Sequence, residues 1–243
     1  MHNQNVQSHV REQKLIVAMS RPIKIFQQAL LFLSFICTSI FLLLAELRMM
    51  NETNKILILT APSGAGKTSI TRYLLNKYPA LSFSISASTR EPRSNERNGI
   101  DYYFLSIEEF QRKIKEDAFV EWEMVYEGKY YGTLKSELQR IWNLKKIPIL
   151  DIDVHGALHV QLHYPENSLS LFIEPPSIEE LKKRLESRNT ETPESLQTRL
   201  SKAGYELSFR HHFDAIIVND DLYKACEEAE KIVAGFLSSN LDS

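Results

Sequence analysis

Cysteine is nearly absent: the 243-residue chain has only Cys37 and Cys226, far apart. Such a pair gives no disulfide framework, and no zinc site is signalled. A reducing, cytoplasmic compartment is therefore expected. A basic surplus is lacking too. Residues 51–243 hold 24 Lys/Arg against 29 Asp/Glu. That balance argues against a general nucleic-acid binder and requires any anion site to be local. His155, His211 and His212 lack partners at metal-ligand spacing. No internal repeat or low-complexity tract is present, and 43% hydrophobic with 25% charged residues suits a chain with a buried core.

The N-terminus departs from this. Residues 1–50 carry five Lys/Arg against two Asp/Glu, and Ala29 to Ala45 are seventeen positions without a charge. This length is at the lower limit for a membrane span. Arg21 and Lys24 ahead of it also resemble the basic flank of a signal segment, although no clear cleavage site follows. A third reading is translation from Met49 or Met50, directly before the first strand. Residues 1–50 are set apart as an extension, with membrane contact only if 29–45 is an anchor. A monomer and a homodimer are both open.

Residues 51–243 alternate short apolar runs with helix-length amphipathic stretches. Lys55–Thr60, Ile147–Asp153, Leu169–Ile173 and Ala215–Val218 read as buried strands. Helical patterns follow at Thr68–Lys77, His155–His163, Ser177–Arg188 and Leu222–Leu237. This alternation predicts an α/β, three-layer fold around a mostly parallel sheet. Ser82 to Thr133 differs, with short alternating runs rich in Ser, Thr and Tyr. We read 82–133 as a small β-rich insert on a core of 51–81 and 134–243. A lid is expected at about 186–195, between two helices.

Ala61, Pro62, Ser63, Gly64, Ala65, Gly66, Lys67 and Thr68 follow a strand and open a helix. This is the phosphate-loop pattern, with Ala61 at a position that is usually glycine. Backbone amides there converge on phosphate oxygens, Lys67 adds a positive charge, and Thr68 offers a hydroxyl to Mg²⁺. The motif alone indicates a nucleoside triphosphate. No N-K-x-D motif follows, which argues against a GTPase. Arg90 and Arg93 stand three apart across Pro92. Their flat forks suit a phosphate dianion, the alternative being a solvated loop paired with Glu91 and Glu96. Tyr102 and Tyr131 add hydroxyl donors.

Residues 55–237 resemble the guanylate kinase family. The likeness is carried by Ser84–Arg93, Glu96–Tyr102, Phe119–Trp122, Tyr130–Thr133, Leu150–Gly156, Pro175–Leu181 and Asn219–Leu222, in one order. Asn95 and Asn189 stand where the family usually has glycine, and the Glu121 to Tyr131 stretch is one residue longer. The resemblance implies transfer of the ATP γ-phosphoryl to GMP or dGMP, with Mg²⁺. It implies a GMP site of Ser86, Arg90, Arg93, Glu96, Tyr102, Glu121, Tyr131, Thr133, Asp151 and Asp153. ATP would lie along Ala61 to Ser69, with Asn219 bordering the adenine. Lys67, Arg90, Arg188 and Arg199 would carry the transfer, assisted by Arg184. The chemistry agrees: Glu121 accepts from guanine N1–H and N2–H₂, while Ser86 and Thr133 donate to O6. Adenine offers neither match.

Overall fold

The computed structural model describes residues 54–187 and 193–239, together with Thr38 and Ile40, both helical. The chain divides into two units, Met1–Thr53 and Asn54–Ser243. The apolar 29–45 segment otherwise lies outside the described residues. Among those residues, no helix is long and apolar enough to cross a membrane.

In the second unit the central sheet is parallel, as the alternation predicts. Its strands are β1 (Ile56–Thr60), β2 (Leu81–Phe83), β7 (Ile147–Asp151), β8 (Ser168–Glu174) and β9 (Ala215–Val218), in the order β2-β7-β1-β8-β9. Every residue of β1 is buried, as befits a strand covered on both faces. Its side chains alternate: Leu57 and Leu59 join one core, Ile56 and Ile58 the other. The first core includes Ile70 and Leu74 of helix α1 (Lys67–Lys77) and Ala229 and Val233 of helix α7 (Leu222–Ser238). The second includes Leu138 of helix α3 (Lys135–Asn143) and Ala157 and Val160 of helix α4 (Val154–His163). Each fully buried Leu or Ile contributes about 1.5–3 kcal/mol by removal from water.

A second sheet holds β3 (Ala87–Ser88), β4 (Tyr103–Phe104), β5 (Phe119–Tyr126) and β6 (Lys129–Leu134), in the order β4-β3-β6-β5. Ser82 and Phe83 pair with Pro148 and Ile149, so β2 belongs to the central sheet and not to the insert. The insert is not purely β, since helix α2 (Ile107–Lys115) packs Phe110 against Phe119 and Tyr130. A capping box fixes its start: the Ser106 hydroxyl accepts from the Glu109 N–H, and Glu109 reaches back. Within the Glu121 to Tyr131 stretch, the β5–β6 register shifts between Met124 and Tyr126, where β5 holds one residue more than its partner strand.

Buried Glu137, on α3, ties the insert to the core. Its carboxylate accepts from the Ile85 N–H (3.0 Å), the Tyr103 hydroxyl (2.8 Å) and two Arg140 nitrogens (2.8 and 2.7 Å). Burial pushes this carboxyl upward, but Arg140 and the other donors outweigh it and leave its pKa below the ordinary value.

Candidate active site

A cleft of about 650 Å³ lies between the carboxyl ends of β1 and β7 and the second sheet, where ligands gather on open α/β sheets. On one side is the loop Ala61–Gly66. Gly66 ends it with φ 101°, and no side chain caps α1. Left-handed backbone turns the first helical N–H groups outward, and an anion complements them. A Cβ on Gly66 would sit 2.1 Å from the Asn219 amide nitrogen. Buried Asn219 donates to the Ala65 carbonyl at 2.7 Å, so it supports the loop from beneath. Helix α7 is capped by Asp221, not by Asn219 or Asp220.

Lys67 reaches from α1 to Asp151, 2.5 Å away, and donates to the Ile152 carbonyl at 3.1 Å. Asp153, two residues on, caps α4 by accepting from the Gly156 N–H at 3.0 Å. The sequence left the roles of these two acids undivided. Here one partners the loop lysine and the other orients a helix. Thr68 and Ser69 are exposed on the first turn of α1.

The opposite side holds the arginines. Arg90 meets Glu96 fork to carboxylate at 2.6 and 2.7 Å, and the Arg93 N–H donates to the same carboxylate at 2.8 Å. Glu96 thereby folds the turn around both arginines, and the Arg90 guanidinium holds its carboxyl down at about 2. The Arg90 guanidinium also lies 4.7 Å from the Tyr102 ring centre and 5.5 Å from that of Phe104. Arg93, Tyr102, Ser86 and Tyr131 line the same cleft.

Glu121 and Thr133 face each other across the β5–β6 ladder. Glu121 is 4% exposed and accepts from the Thr133 hydroxyl at 2.6 Å. A hydroxyl has one hydrogen, and in this structure that of Thr133 goes to Glu121. Burial pushes the Glu121 carboxyl up to about 7, with the Asp153 charge adding to it and the Thr133 hydroxyl opposing. Gly156 leaves the acid its room, since a Cβ there would lie 2.8 Å from Glu121 Oε2.

Helix α5 (Ile178–Glu186) and helix α6 (Pro193–Leu207) flank the expected lid. Arg188 lies outside the described residues. Arg184 bonds Glu180 (3.3 Å) and the Asn219 carbonyl (2.9 Å), so it braces β9 against α5. Arg199 donates to Ser63 of the loop at 2.8 Å. Sequence reasoning missed Glu123, Lys129 and Lys202, which also line the cleft. Glu123 was legible in principle, because it is two residues from Glu121 on one strand face.

The guanylate kinase family pattern matches residues 53–235. Guanylate kinase of Porphyromonas gingivalis is 49% identical over 185 residues, covering 76% of this chain and 98% of that protein. Guanylate kinase of Bacteroides fragilis is 46% identical over 183 residues, covering 75% and 90%. The crystal structure of guanylate kinase from Anaplasma phagocytophilum aligns with a TM-score of 0.59 at 31% identity, covering 78% of this chain and 87% of that one. By the pattern over residues 53–235 and these relatives, this chain belongs to the guanylate kinase family.

Proposed function

We propose that the chain transfers the γ-phosphoryl group of ATP to GMP, or dGMP, giving ADP and GDP. The observation that carries this reading is a single cleft lined by Lys67, Arg90, Arg93 and Glu121. The loop amides and Lys67 would hold the donor phosphates, and Lys67 would leave Asp151 to do so. Arg90, already aligned by Glu96, and Arg93 would hold the acceptor phosphate. Glu121 would accept from guanine N1–H and N2–H₂, with Ser86 donating to O6. Adenine would add no donor to the one that buried carboxylate has in the Thr133 hydroxyl, the kind of mismatch that gives large discrimination.

Transfer would be direct and in line, with positioning and charge neutralisation as the protein's main contributions. Arg199, joined to Ser63, would bring a positive charge to the moving phosphoryl group as α6 draws in, and Arg188 would join it. Closure would exclude water that otherwise hydrolyses ATP.

The donor set also suits magnesium. Among the described residues no three acidic, His or Cys side chains form a metal cage, and Thr68 presents an exposed hydroxyl beside the loop. Mg²⁺ keeps most of its waters and takes phosphate oxygens with few protein ligands. Thr68 would hold the ion, and the ion would neutralise charge on the β- and γ-phosphates. A place in cytoplasmic purine nucleotide metabolism follows from these substrates.

The test is a coupled ADP assay of the full chain with GMP, dGMP, AMP, dTMP and UMP. Turnover is expected with GMP and dGMP. Comparable turnover with AMP or dTMP would contradict the guanine assignment. No turnover with any of them would leave a binding module of the same fold.

A further inference from the structure

Helix α6 has two adjacent stripes. Leu196, Leu200 and Ala203 pack against Leu181 and Leu185 of α5. Beside them Arg199, Lys202 and Glu206 recur at i, i+3 and i+7, so they share one face. That face meets the cleft: Arg199 bonds Ser63, and Lys202 lines the cavity with Lys67, Arg90 and Asp153. The Lys202 ammonium lies 3.7 Å from Glu206 Oε1, an ion pair too long for a hydrogen bond. The two partners differ in setting, because the Lys202 side chain is 55% exposed and that of Glu206 only 7%.

A nearly buried carboxylate is costly without a charged partner. Glu206 is therefore the enclosed anchor of the pair, and Lys202 its exposed member. Burial raises the Glu206 carboxyl, with Asp153 adding to this and Lys202 and Lys67 opposing. The anchor thus stands within electrostatic reach of Lys67 and Asp153 in the cleft. A lysine ammonium on a flexible stem has three rotatable donors, which suits a partner that moves. A polyphosphate carries more negative charge than Glu206 and can offer the ammonium a full hydrogen bond.

We propose that Lys202 is a further phosphate-binding residue of this cleft, which Glu206 holds ready and which turns onto a nucleotide phosphate oxygen when both substrates are bound. The inference rests on the phosphotransfer reading above. It adds to the backbone amides, Lys67 and the arginines a cation placed on the helix that follows the lid. Because Lys202 lies one turn beyond Arg199, a movement that brings one toward the phosphates brings the other.

Steady-state kinetics of the full chain and of Lys202→Gln and Lys202→Arg test it. Calorimetric binding of adenosine and guanosine joined 5′ to 5′ through five phosphates gives a readout apart from turnover. Lys202→Gln should lower kcat/KM for GMP at saturating ATP, and affinity for the dinucleotide, by about tenfold, the scale of one charge-assisted bond. Lys202→Arg should restore most of both and keep the melting temperature, which Lys202→Gln should lower slightly because Glu206 loses its charged partner. Lys202→Gln within twofold of the unsubstituted chain on both readouts would overturn the inference alone. Equal losses in both variants with lowered melting would mean a structural role and also overturn it. An unsubstituted chain that neither turns over GMP nor binds the dinucleotide would overturn the reading of the site and this inference with it.

Discussion

The Thr133 hydroxyl donates to the Glu121 carboxylate 2.6 Å away, directly across the β5–β6 ladder. The bond fixes one carboxylate oxygen and leaves the other, Oε2, beside Gly156. On the proposed function, guanine would add two donors to the Thr133 hydroxyl already bonded to this buried acid. Glu121→Gln replaces one acceptor with an amide donor facing the guanine donors. It should lower kcat/KM for GMP by about 1–3 kcal/mol in transition-state terms. Kinetics with GMP measure this, and unchanged values would remove Glu121 from the site.

The same acid sets a pH dependence. Its folded pKa is pushed from 4.5 up to about 7 by burial, with Asp153 contributing. The accepting form is the carboxylate, so kcat/KM for GMP should fall as pH drops below about 7. The phosphate of GMP also titrates, near pH 6. Glu121→Gln keeps that titration and loses the protein's, so its profile should hold up at higher acidity. Stability moves the other way. A raised folded pKa means the folded state binds the proton more tightly, so this group's contribution falls as pH rises from 4.5 through 7. Glu121→Gln should accordingly melt higher than the unsubstituted chain at pH 8, by roughly 3 kcal/mol in stability. Melting curves at pH 5 and pH 8 check the sign.

Arg90 depends on Glu96 for its orientation. Its fork is met at both nitrogens, and the same carboxylate takes the Arg93 N–H. Glu96→Ala should raise KM for GMP severalfold and leave KM for ATP near its original value. The Glu96 carboxyl is lowered to about 2, mainly by the Arg90 hydrogen bond. Its contribution is present above the unfolded pKa near 4.5 and is lost as pH falls toward 2. It should therefore add no pH dependence between 5 and 9.

Glu137 accepts four hydrogen bonds with its side chain wholly buried: one from the Tyr103 hydroxyl of the second sheet, one from the Ile85 N–H and two from Arg140 of its own helix. Glu137→Ala leaves Tyr103, the Ile85 N–H and Arg140 without their acceptor. Removing one partner from such a network costs about 3–5 kcal/mol. A melting temperature unchanged by this substitution would show that the insert is held by apolar packing alone.

Much of this was legible in the sequence, and the missing parts share a cause. The strand Ile56–Thr60, its Gly-rich turn and the helix after it are local patterns, readable from apolar runs and backbone requirements. Arg90, Arg93 and Tyr102 lie on one local stretch of chain, where Arg90 meets the Tyr102 ring and the Arg93 N–H meets Glu96. Helix Ile107–Lys115 was overlooked although Ser106 and Glu109 spell its capping box; the aromatic runs on either side pointed to strands. Leu81–Phe83 is three residues long, and only its pairing with Ile147–Ile149 assigns it to the central sheet. The Thr133 hydroxyl, the Asn219 amide and the Glu137 carboxylate could not be read, because their partners lie 12, 154 and up to 52 positions away. Spacing shows which residues share an element, and tertiary packing decides which polar atom each one meets.

Following labelled phosphorus tests the central claim most directly. The full chain, magnesium, GMP and ATP labelled at its γ-phosphoryl group should give one labelled GDP for each ADP, with the label on the β-phosphate and none on the protein. Label released mainly as inorganic phosphate, bound covalently to the chain, or moved as readily to AMP would contradict it.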